Sequence, residues 1–73
     1  MENTNPSGNV KKLSATNLHI LEDELGHESV LVHKYQQAAD MCTDPQLKQL
    51  CSSVAQKHTN HFNTLYDYLN SHQ

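Results

Sequence analysis

Tryptophan is absent from this sequence, phenylalanine occurs once, and hydrophobic residues fill only 36% of the 73 positions. A chain this short and this poor in large apolar side chains builds little core. Below about 80 residues a single core supplies roughly 3–5 kcal/mol, so a staple is expected. Two cysteines, Cys42 and Cys51, are too few for a disulfide framework, and no basic start followed by an apolar run marks secretion. The expectation is a reducing, intracellular setting, with a symmetric oligomer, a metal or both as the staple. No apolar segment approaches the roughly 20 residues that span a bilayer, which excludes a transmembrane role. Positive charge is scarce as well. The five lysines are scattered and the net charge is −3 with neutral histidines, so nucleic acid is not an expected partner.

Histidine is what the sequence has in excess, with six copies at His19, His27, His33, His58, His61 and His72. The net charge should therefore vary strongly with pH near neutrality.

Residues 1–12 are polar, carry Pro6 and Gly8, and read as a disordered tail. Residues 13–73 read as one helical hairpin. Ser14 is placed to cap the first helix, with Leu13 and Leu18 as the two ends of a hydrophobic staple. From there a 3,4 spacing selects Leu18, Leu21, Leu25, Glu28, Val32, Tyr35, Ala39 and Cys42, which predicts helix 1 over about 14–43. Gly26 lies inside this run without breaking its phase, and is read as a point of close helix contact. Thr43-Asp44-Pro45 ends the first helix and starts the second, with Asp44 as cap and Pro45 at the first helical position. Helix 2, predicted over about 45–70, repeats the period in Leu47, Cys51, Val54, His58, His61, Leu65 and Tyr68, widened by Leu50, Ala55, Phe62 and Leu69. So short a link forces the helices antiparallel. The fold class is all-α: a long two-helix hairpin that pairs as a homodimer into a four-helix bundle.

Three members of the stripe carry chemistry. At about 1.5 Å per residue, Glu28 lies roughly 22 Å from the turn along helix 1, and His58 and His61 lie about 20 and 24 Å along helix 2. All three therefore reach one level. A carboxylate and two imidazoles inside an apolar seam need partners, since an unpaired polar group there costs several kcal/mol. A divalent cation would supply them, and the i, i+3 spacing of His58 and His61 sends both to one side of their helix. Two hairpins about a two-fold axis would bring two glutamates and four histidines to one layer. The alternative is metal-free: a His58–Glu28 ion pair with His61 satisfied in the core. Glu24 and His27 fall on the flank of the stripe and are candidates for an outer shell. Cys42 and Cys51 differ in predicted height by about one helical turn, which argues for two small apolar side chains and against a disulfide.

Glu28 seven residues before Tyr35, the hinge Thr43-Asp44-Pro45-Gln46-Leu47-Lys48, and the run Ala55-Gln56-Lys57-His58-Thr59-Asn60-His61-Phe62 together resemble the small spore-coat protein F-like group of ferritin-like proteins. The resemblance covers about two thirds of the chain. It implies a ferritin-like bundle, a spore-coat location and other coat proteins as partners. Ferritin-like di-iron sites take a glutamate from each of two helices and an ExxH pair from each of the others. Glu28 and His61 match that pattern, and His58 stands where the pair's glutamate would be. The nitrogen-rich set suits Zn, Fe(II), Ni or Cu better than an oxidised di-iron pair. Three functional expectations follow: a metal-binding bundle, a metal-free structural or assembly module of a spore layer, and an iron- or manganese-dependent redox protein.

Overall fold

The computed structural model describes residues 12–72, which form two helices, α1 (Ala15–Met41) and α2 (Pro45–Ser71). The tail expected over residues 1–12 lies, apart from Lys12, outside the described residues. Ser14 is extended and its Oγ accepts from the Asn17 amide at 3.1 Å, so the first helix starts at its predicted cap. It ends at Met41, about two residues short of the expected boundary. Asp44 precedes proline and holds an extended backbone (φ −77°, ψ 118°), and the chain straightens at Cys42 (ψ 135°) to reach it. Asp44 Oδ1 then accepts from the amides of Gln46 and Leu47 at 2.8 and 3.3 Å, with Pro45 at the first helical position.

The helices pack on one another along their length, and each end of the hairpin is tied. At the hinge Lys48 Nζ donates to the carbonyl of Ala39 at 2.8 Å. At the open end the Leu13 amide donates to the carbonyl of His72 at 3.3 Å. The first stripe forms the α1 side of the seam: Leu21 and Ala39 are buried, and Leu18, Leu25, Glu28, Val32, Tyr35 and Cys42 are half-buried.

On α2 the seam is rotated from the expected one. Ala55 is buried, and Cys51, Val54, His58, Phe62, Leu65 and Leu69 are half-buried, whereas Leu47 and Tyr68 stand about half exposed. The 4,3 spacing through 51, 55, 58, 62, 65 and 69 thus faces α1, and the expected seam members Leu47, His61 and Tyr68 form its exposed shoulder. Both stripes have the same period, so periodicity alone does not choose between them. Ala55 is 4% exposed, so a small side chain is buried against α1 there. Gly26 makes no such contact: a Cβ added at this position meets nothing within 4 Å. The expected close contact at Gly26 is therefore absent, because the residue points away from α2.

The hairpin measures 55 × 21 × 10 Å, so its thinnest dimension is one helix. No large side chain among the described residues is fully buried in so thin a layer. Its two broad faces differ. On one, Asn17, Ile20 and Glu24 of α1 meet Leu65 and Tyr68 of α2 around an open groove. Helical spacing continues this face through Leu31 and Met41 on α1 and through Leu47, Leu50, Val54 and His61 on α2. On the other, Ser29 and His33 meet Thr59 beside Val32 and Phe62, and His33 Nδ1 is 2.9 Å from the Ser29 carbonyl. The first face holds most of the exposed large hydrophobic side chains among the described residues, Ile20, Met41, Leu47, Leu50 and Tyr68, beside the polar Asn17, Glu24 and His61, and is the more apolar of the two.

Candidate metal centre

Glu28 and His58 project into the seam from facing helices, and His61 reaches the same level one turn further along α2. The donor atoms of Glu28, His58 and His61 all lie within 4.8 Å of one another, which makes this a group able to hold a metal ion. His58 Nδ1 hydrogen-bonds Glu28 Oε1, and His61 Nδ1 lies 3.3 Å from Glu28 Oε2. One carboxylate thus serves two imidazoles, one per oxygen. A tetrahedral metal with ligands at about 2.1 Å would separate its donors by roughly 3.4 Å, so small side-chain adjustments would fit this set around an ion.

Burial grades across the site. The Glu28 and His58 side chains are 13% and 22% exposed, while that of His61 is 60% exposed and lies on the apolar face. The site is closed toward the seam and open on that face. His61 therefore sits outside the hairpin's own core, where the sequence stripe had placed it. The His58 hydrogen bond is the main reason the Glu28 carboxyl is held below its ordinary 4.5; desolvation opposes the shift, and the nearby charges of His58 and His61 support it. Glu28 is consequently an anion throughout the neutral range, as a ligand must be.

Tyr35 contributes what the stripe did not reveal. Its ring stacks on His58 at 6.0 Å between centroids with planes 14° apart, while His58 and His61 meet edge to face at 5.5 Å. The sequence signal was only its place one heptad after Glu28, which reads equally well as a core aromatic. Glu24 and His27 are exposed and do not belong to the gathered group; Glu24 instead lines the groove near the open end.

Cys42 and Cys51 are free thiols, both half-buried near the hinge. Burial pushes the Cys42 thiol up, and the neighbouring Cys51 thiol adds to the shift. No helix among the described residues is long and apolar enough to cross a membrane. No family model matches this chain, and neither a curated protein nor a solved structure matches it.

Proposed function

We propose that this chain is a small metal-binding protein that works as a homodimeric four-helix bundle, with Glu28, His58 and His61 of each copy as ligands. The observation that carries this reading is the convergence of the three donors from two helices at one level. Two imidazoles and one carboxylate per chain favour a divalent transition metal, Zn, Fe(II), Ni or Cu, over hard cations that prefer oxygen cages. The single-layer hairpin supports the dimer, since a stable domain ordinarily needs a second layer against its apolar face. The decisive measurement is elemental analysis of protein purified without a histidine tag, beside a His58→Ala/His61→Ala variant. The wild type should carry stoichiometric metal and the variant none; equal content in both overturns the proposal.

A metal-free structural module is the second reading, and one observation favours it: both oxygens of Glu28 already have imidazole partners. Under this reading a chelator leaves the melting temperature unchanged, whereas under the first it lowers it. The resemblance in the hinge and in residues 55–62 supports a place among spore-coat proteins. Immunodetection in coat extracts of purified spores tests that, and its absence from the coat fraction argues against it.

A further inference from the structure

The apolar face has a polarity along its length that constrains what can cover it. Near the open end it is hollow: Leu13, Ile20, Leu21, Leu65 and Tyr68 surround a groove of about 340 Å³. Near the hinge it presents exposed side chains. Met41, Leu47 and Leu50 stand 74%, 48% and 57% exposed. The chemical site divides these halves, because Glu28 is the middle residue of the 27 in α1 and His58 the middle residue of the 27 in α2.

We propose that a second copy of this chain covers the face in antiparallel register, hinge over open end, about a two-fold axis through the Glu28–His58 level. This deepens the dimer reading above and rests on it for the presence of two copies. One observation and two packing arguments support the arrangement. Leu50 and Leu47 lie eight and eleven residues from the middle of α2 on the hinge side, and Leu65 and Tyr68 lie seven and ten on the other. A perpendicular two-fold axis therefore sets the exposed leucines of one copy opposite the groove of its partner. A two-fold axis along the hairpin would instead face groove with groove, leaving the hollow unfilled, which close packing disfavours. Finally, an axis at the midpoint overlaps the full lengths of both hairpins and brings the exposed edge of the site, at His61, against the same edge of the second copy.

Spin labels read the register directly. In a Cys42→Ser/Cys51→Ser background, Thr43→Cys places a label at the hinge tip about 22 Å from the midpoint. Pulsed dipolar spectroscopy of the dimer should then give about 45 Å between the two labels, against under about 25 Å for parallel copies. Ser71→Cys, at the opposite end, should also give a long distance. A mixture of the two singly labelled proteins should add a short one, between the hinge of one copy and the open end of the other. Circular dichroism of each variant confirms that its helices are intact, and the second label position serves if the first impairs folding. A short hinge-to-hinge distance in a dimer overturns the register while leaving the dimer in place. A monomer by sedimentation equilibrium overturns the arrangement altogether, and metal content measured on that monomer separately decides whether the three-donor site stands.

Discussion

Each oxygen of Glu28 has its own imidazole, so replacing the carboxylate removes two interactions at once. Because the carboxyl is held below its ordinary 4.5, its contribution to stability is present above that value and is lost as the pH falls through the lower value it has in the fold. A Glu28→Gln variant lacks this dependence. Urea midpoints of the metal-free proteins between pH 3 and pH 7 should therefore differ most above pH 4.5 and converge in acid. A difference that persists undiminished to pH 3 would show that the carboxylate's ionisation is not what its partners stabilise. The same variant should also bind less metal at neutral pH, since one anionic donor per chain is gone, and titration with Zn(II) checks this.

Helix α1 tolerates a residue that it does not need. Gly26 is exposed, and a methyl group there would meet nothing. Gly26→Ala should accordingly stabilise the hairpin by about 0.5–1 kcal/mol through propensity and the reduced freedom of the unfolded chain. An unchanged or lower urea midpoint would reveal a role for the glycine in contact with another molecule. At the start of α2 the reverse holds. Asp44→Ala removes the acceptor for two amides and should cost about 1 kcal/mol, measurable in the same way. These elements were legible in the sequence because their signals are local: Ser14 and Asp44 cap where they stand, and Pro45 admits one backbone geometry on each side. The level of the site was legible for a similar reason, as a short hinge plus a fixed rise per residue sets the heights of Glu28, His58 and His61. The rotation of α2 was not. Leu47, His61 and Tyr68 repeat with the same period as Ala55, Phe62 and Leu69, and periodicity alone does not choose between them. Tyr35 was hidden for a related reason: a ring in a seam reads as packing until its imidazole neighbour is placed.

For the whole molecule, thinness dominates the energetics. A layer 10 Å thick whose hydrophobic side chains are mostly half-buried gains its remaining burial only by association, so its thermal midpoint should rise with protein concentration. Metal acts through the same linkage. At a free metal concentration about a hundred times the dissociation constant, binding adds about 2.7 kcal/mol, which for a domain of this size raises the midpoint by roughly 10–20 °C. The two effects separate by mutation. Leu50→Glu places a charge on the apolar face eight residues from the site level and leaves every ligand in place. It should remove the dependence on protein concentration and reduce, without abolishing, the shift produced by metal, because three donors remain within one hairpin. His58→Ala/His61→Ala should do the opposite, keeping the concentration dependence and losing the metal shift. Scanning calorimetry of the three proteins over a hundredfold range of concentration, with and without Zn(II), resolves the four combinations. If Leu50→Glu retains the full concentration dependence, the apolar face is not the surface through which the copies meet.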